Sequence, residues 1–264
     1  MINKIATIVP MAHLKETIND QYFMALSYAV EAPEYAKFFK ARALEGAYVI
    51  LDNSSVEVGD PGDFNDYLDK AIAISATEVM LPDIFRNAGA TYDASRRALT
   101  LLANRTLYNP NVMIIPQGVS VTVWMQNAKE LIDLVLPYTE AIGAKLTVGV
   151  SARYTDLFGG TRSVVFAYNL RGLPVHFLGC YANPAEEIRP FIDYRRLRSV
   201  DSSFPCVYTK VSMKTTIPNL AMPRPMTRLN LTDDYYDPEL LRHNIDVWKE
   251  ACIGNWDGLV ETDI

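Results

Sequence analysis

Short apolar runs of β-forming residues alternate with longer segments of helical periodicity along most of the chain. "KIATIVP" opens it, and residues 22–30 and 33–44 read as helices. "AYVILDN" then reads as a strand, "FNDYLDKAIAIS" as a helix, "EVMLPD" as a strand, "TYDASRRALTLLAN" as a helix and "NVMIIPQG" as a strand. The order continues with helix "SVTVWMQNAKELIDLVLPY", strand "KLTVGVS", helix "TRSVVFAYNLRG", strand "PVHFLG", a helix over 184–194 and strand "LRSVD". Such alternation is the mark of a parallel sheet with crossover helices. Seven strands are visible, and an eighth in "CVYTKVSM" would close an α/β fold of the (β/α)8 TIM-barrel type; an open doubly wound sheet is the alternative. Residues 1–216 make up the barrel on this reading. Residues 217–264, rich in Pro, Arg and Tyr before an amphipathic "DPELLRHNIDVWKEAC", form a C-terminal extension packed on it.

Composition narrows the class. A chain of 264 residues with 49% apolar content can bury a sizeable core in one large domain. No apolar run approaches the roughly 20 residues that cross a bilayer, and the N-terminus is too short in apolar residues for a secretory signal, so a cytoplasmic protein with no membrane partner is expected. Cys180, Cys206 and Cys252 are far apart and form no CxxC or Cys/His zinc spacing. The net charge of −6 argues against a general nucleic-acid binder. It conceals a basic window over residues 189–228, where Arg195, Arg196, Arg198, Lys210 and Lys214 are among the cations. That window could hold a polyanion; a solvated helix face and loop is the plainer account.

The chemistry gathers at strand ends. The strand runs stop on Asp52, Asp83, Gln117 with Gly118, Gly149, Gly179 and Asp201. Any one of these suits a turn, and Asp201 in "RSVDSSFP" also suits a helix N-cap. The recurrence is not what generic loops require, whereas a parallel barrel brings all these ends to the one face where active sites are built. A carboxylate can attack a sugar anomeric carbon while a second carboxyl exchanges protons with the leaving group. Asp and Gln side chains also match the edge of a purine, and glycine lets backbone approach a planar ligand. The three histidines make no HxH or HExxH pair, and His176 reads as a hydrogen-bonded core residue. P-loop, GxGxxG and GxSxG motifs are absent.

In order and spacing, "VILDNSS", "LPD", "IIPQG", "LTVGVS", "PVHFLGCYANPAEEI" and "SVDSS" resemble the tRNA-guanine transglycosylase superfamily over residues 47–203. The resemblance implies that Asp201 is the nucleophile on ribose C1′, that Asp52 serves acid/base chemistry, and that Asp83, Gln117, Gly118 and Gly149 bind the base. "DNSSVEVG" stands where the tRNA enzymes carry Ser-Gly-Gly-Phe-Gln, "VGVSARY" replaces their Gly-Gly-Leu segment, and the bacterial zinc cluster is missing. A short, zinc-free member looks most like the DNA-modifying branch found in phages and genomic islands. The implied activity is exchange of guanine in DNA, or RNA, for a 7-deazaguanine base, with no cofactor or metal and with Arg195, Arg196, Arg198, Lys210 and Lys214 holding the backbone. Several family members are dimers, which makes a homodimer an expectation here. Rival readings are a 7-deazaguanine nucleoside hydrolase, a non-catalytic nucleic-acid-binding subunit, and an unrelated TIM-barrel enzyme.

Overall fold

A computed structural model describes residues 4–55, 62–155, 162, 170–179, 188, 194–211, 230–232 and 234–253. Eight strands run parallel: β1 (Ile5–Thr7), β2 (Tyr22–Leu26), β3 (Tyr48–Asp52), β4 (Glu78–Met80), β5 (Asn111–Ile114), β6 (Leu146–Ser151), β7 (Val175–Leu178) and β8 (Leu197–Ser202). Their order is β1-β8-β7-β6-β5-β4-β3-β2, a nearly closed (β/α)8 TIM barrel. Between β1 and β2 the ladder is open, but Ala6, Tyr22 and Met24 share one interior cluster across the seam.

The eighth strand is not where the sequence pattern put it. Residues 22–26, expected in a helix, are β2, and all five are buried. Met24 and Tyr22 point into the barrel, while Phe23 and Ala25 pack against the surrounding helices. The first five residues of "CVYTKVSM" lie instead in a helix, α5 (Phe204–Lys210).

The crossover helices begin where capping residues stop the strand connections. Helix α1 (Pro33–Leu44) starts on a proline, whose missing N–H costs nothing in the first turn. Asp63 accepts from Asn65 N at the start of α2 (Phe64–Ala73), Asn87 from Ala90 N at α3 (Ala88–Ala103), and Ser120 from Val123 N at α4 (Val121–Ala141). Each such cap stabilises its helix by about 1 kcal/mol. The predicted helices over 161–172 and 184–194 fall largely outside the described residues, and Lys214, Cys180 and residues 217–229 wholly so.

Two apolar layers result. Outward side chains of the strands, such as Val49, Leu51, Val112 and Val148, meet the helices in the larger core. Inward ones, among them Met24, Ile50, Met80 and Met113, fill the barrel. After β8, α5 is joined by α6 (Pro238–Ile253), whose Trp248 ring stacks 5.8 Å from Phe204 and whose Asn244 donates to Thr209 Oγ1 at 2.9 Å. No helix among the described residues is long and apolar enough to cross a membrane.

Candidate active site

All strands point the same way, so their C-terminal ends share one rim, with β8 and β4 on opposite sides of the ring. On the β8 side, Asp201 is only 4% exposed and turns inward. Its Oδ1 accepts the Gly179 N–H at 3.0 Å and lies 3.0 Å from His176 Nε2. Among the described residues no donor reaches Oδ2, and that oxygen is not sealed from solvent. The cap suggested by "RSVDSSFP" belongs to the next residue: Ser202 Oγ accepts from Phe204 N at 3.0 Å as α5 begins.

The proton positions behind Asp201 follow from counting donors. Ser199 Oγ accepts from Tyr22 OH at 2.9 Å and from Arg198 Nε at 3.0 Å, filling both lone pairs. Its own proton therefore goes to His176 Nδ1, 2.7 Å away. With Nδ1 accepting, the proton of a neutral ring is on Nε2 and is donated to Asp201. Burial lowers the His176 pKa, against the opposing pull of Asp201, so the contact is a hydrogen bond from a neutral imidazole rather than an ion pair. Gly179 sits at φ +65°, a conformation that favours glycine, and its carbonyl accepts from Arg162 at 2.9 Å. Arg162, itself buried, also holds the carbonyls of Val150 and Leu178.

The opposite wall is a second buried carboxylate, Asp83. Asn53 Nδ2 donates to its Oδ1 at 2.9 Å, Ser55 Oγ to the same oxygen at 3.3 Å, and Gln117 Nε2 to Oδ2 at 2.6 Å. Burial raises the Asp83 pKa, and these donors hold it back. Gln117 is fixed in orientation, since its Oε1 accepts from Arg86 N at 3.0 Å and from the Tyr154 hydroxyl. Among the described residues, no further partner takes the second N–H of Gln117 Nε2 or the second lone pair of Asp83 Oδ2. Gly118 donates to Tyr154 Oη at 3.1 Å; a Cβ there would come within 2.5 Å of Trp124 N, so the start of α4 requires a glycine.

Asp52 closes β3 on the Asp83 side, half-buried, with Oδ1 accepting from Ser54 N at 2.9 Å. Gly149 lies lower, paired in register with His176, and a Cβ on it would meet Met113 and Leu178 side chains at 3.0 Å. Packing of the barrel floor thus accounts for this glycine. Asp201, Asp52, Asp83, Gln117 and Gly118 share the rim.

Within the basic window, Arg198 does not lie on the surface. Arg198 is the extra residue of a bulge between β7 and β8, which turns its side chain into the lower barrel. There it grips buried Glu78 through two nitrogens, at 3.1 and 2.8 Å, and donates to Thr147 Oγ1 at 2.8 Å. An arginine so committed cannot hold a nucleic-acid backbone. Lys210 pairs with Asp234 at 2.9 Å, Arg196 lies 5.8 Å over the Tyr194 ring, and Arg195 is exposed.

Several site residues escaped the sequence reading. Asn53 and Ser55 stand within the quoted "VILDNSS" and were within reach, as polar neighbours of a strand-end aspartate. Ser199, Tyr154 and Arg162 carry no local signal. No group of three or more His, Cys, Asp or Glu among the described residues is placed to hold a metal ion.

No family model matches the chain, and no curated protein matches it. Among solved structures it is similar to the crystal structure of KGPDC from Streptococcus mutans, at 8% identity and a TM-score of 0.48, over 95% of this chain and 99% of that one.

Proposed function

We propose that the protein is a base-exchange transglycosylase that replaces guanine in nucleic acid, DNA before RNA, with a 7-deazaguanine base. The observation that carries this reading is the pairing of two unlike carboxylates on opposite walls of one mouth. Among the described residues, Asp201 keeps an oxygen without a donor, as suits a nucleophile, while Asp83 and Gln117 offer an acceptor beside a donor. Guanine presents N–H groups next to its carbonyl oxygen, which is the complement of that pair.

The target nucleotide leaves its stack, because C1′ and N9 are out of reach in an intact duplex. Asp201 Oδ2 attacks C1′ and the C1′–N9 bond breaks, its electron pair going to N9. A proton from Asp52, or from a water it holds, neutralises the departing guanine. The incoming 7-deazaguanine returns its N9 proton to Asp52 and attacks C1′, displacing Asp201. Two inversions give retention, as in double-displacement glycosidases. His176 Nε2–H and the Gly179 N–H stabilise the carboxylate when it leaves again.

One observation favours the hydrolase as a second reading. With Arg198 interior and Lys210 paired, two of the five cations expected to hold a polymer are committed elsewhere, as suits a small nucleoside attacked by water. Incubation of the protein with labelled guanine and either DNA or a 7-deazaguanine nucleoside separates the two. Label in DNA supports exchange, and free 7-deazaguanine from the nucleoside without any label in DNA supports the hydrolase.

A further inference from the structure

A polymer substrate needs a surface, and the rim holds one the sequence window missed. Phe85 follows Asp83 by two residues in the β4–α3 loop and is 44% exposed. The guanidinium of Arg86 lies 5.3 Å from its ring centroid and that of Arg153 5.0 Å. Arg153 comes from the short 3-10 turn Ala152–Tyr154 after β6, so two loops converge on one aromatic ring. Neither guanidinium has a carboxylate within ion-pair distance among the described residues. Arg153 also acts electrostatically on Asp83 in the mouth, so in a chain of net charge −6 the two guanidiniums set a positive field around an exposed ring at the rim.

The loop is also held firmly. Arg86 adopts φ 58°, a left-handed backbone that is costly for a side-chain-bearing residue. That conformation sends its N–H to Gln117 Oε1, the amide beside Asp83. The Phe85 ring also lies 6.0 Å from that of Tyr154, which donates to the same oxygen. Ring, guanidiniums and base-reading amide are thus one connected unit.

We infer that Phe85, Arg86 and Arg153 form a stacking platform for a single strand of nucleic acid: an unstacked base lies on Phe85 and the flanking phosphates meet the two guanidiniums. The inference rests on the base-exchange reading of the mouth and names the surface by which that site takes a polymer. An exposed aromatic flanked by cations fits a strand with accessible base faces, and a duplex hides those faces.

The test uses fluorescence anisotropy with a labelled 12-nucleotide single-stranded DNA, the same RNA sequence and the DNA duplex. Stacking on an aromatic contributes about 1–3 kcal/mol per base, so Phe85→Ala should weaken single-strand binding about 5- to 150-fold, and Phe85→Tyr should restore it. Arg86→Gln and Arg153→Gln should each flatten the logarithmic salt dependence by about 0.7. The DNA and RNA arms tell which strand is preferred. Wild-type affinity in Phe85→Ala, or unchanged salt slopes in both arginine variants, overturns the platform. Thermal melting checks that each variant is folded. Base exchange is assayed separately: exchange with Phe85-independent binding sinks the platform alone, whereas Phe85-dependent binding without exchange or base release sinks the transglycosylase reading alone.

Discussion

Strand β8 sends Arg198 to the lower end of the barrel and Asp201 to the upper, and the surroundings of the two charges differ in kind. Around Arg198 the bonding is dense: both oxygens of Glu78 accept from it, Tyr48 OH also donates to Glu78 at 3.2 Å, and the hydroxyls of Thr147, Ser199 and Tyr48 accept its further contacts. Around Asp201 the bonding stops halfway: among the described residues, one oxygen is held by two donors and the other by none. Saturated polar groups serve as structure, because a buried charge is tolerated only when paired. An unsaturated carboxylate at the face where barrel enzymes build their sites has a stability cost that chemistry can explain. Ser199 joins the two ends, since it accepts from Arg198 and donates to His176.

The largest effect expected from breaking this contrast lies at the lower end. Arg198→Met leaves Glu78 buried without its cation and should destabilise the fold by about 3–5 kcal/mol in urea titrations. Adding Glu78→Leu should recover much of that loss. A single variant within 1 kcal/mol of wild type would show that the pair is not structural.

At the upper end the effect should fall on rate. His176→Leu removes a hydrogen bond to a charged group, a change of about 1.5–3 kcal/mol, so kcat for base exchange should drop roughly 10- to 150-fold with KM for DNA nearly unchanged. His176→Gln, which can still donate an N–H, should retain more. Equal loss in kcat and KM, or no difference between the two variants, would assign His176 to packing only.

Asp83→Asn tests the acceptor on the opposite wall. Losing the carboxylate should raise KM for the base about 10-fold or more, and the melting temperature should fall as well, because with Gln117 fixed the new amide nitrogen must face one of the donors of Asn53, Ser55 or Gln117. Unaltered KM in the folded variant would reverse the assignment.

The smallest effect is on pH. Burial lowers the His176 pKa, so below its ordinary value of about 6.5 the unfolded chain takes up a proton that the folded chain resists. The unfolded state then binds more protons, and stability should fall as pH drops through that window, by at most about 1.4 kcal/mol per pH unit. His13 is lowered in the same direction, so the measurement is the difference between wild type and His176→Gln in urea midpoints at pH 7.5 and 5.5. No difference in slope would mean that His176 is not a buried neutral ring.

Much of the barrel was legible because seven of its strands are apolar runs bounded by clear turns, and because their polar ends recur. Strand β2 was not, since "YFMAL" is apolar on both faces and rich in helix formers, so periodicity could not tell strand from helix. The stretch after Ser203 misled in the other direction: Val207 and Thr209 favour strands, yet Pro205 in the first turn and the Ser202 bond to Phe204 N start a helix. Rim residues could be read because each lies at the end of an apolar strand run or within four residues after it. Arg198 could not, because its direction depends on a bulge and its partner Glu78 lies 120 residues away. The same holds for the Phe85 platform, which joins loops after β4 and β6 that no local pattern connects.

The account depends most on Asp201 as nucleophile. Transfer of labelled guanine into DNA, compared between wild type and Asp201→Asn, tests it most directly, because asparagine keeps an oxygen for His176 and Gly179 while losing the attacking carboxylate. The account predicts label in DNA with wild type and a loss on the order of 10⁴-fold or more in the variant, with its fold intact by thermal melting. Exchange that persists in Asp201→Asn at a comparable rate would contradict it.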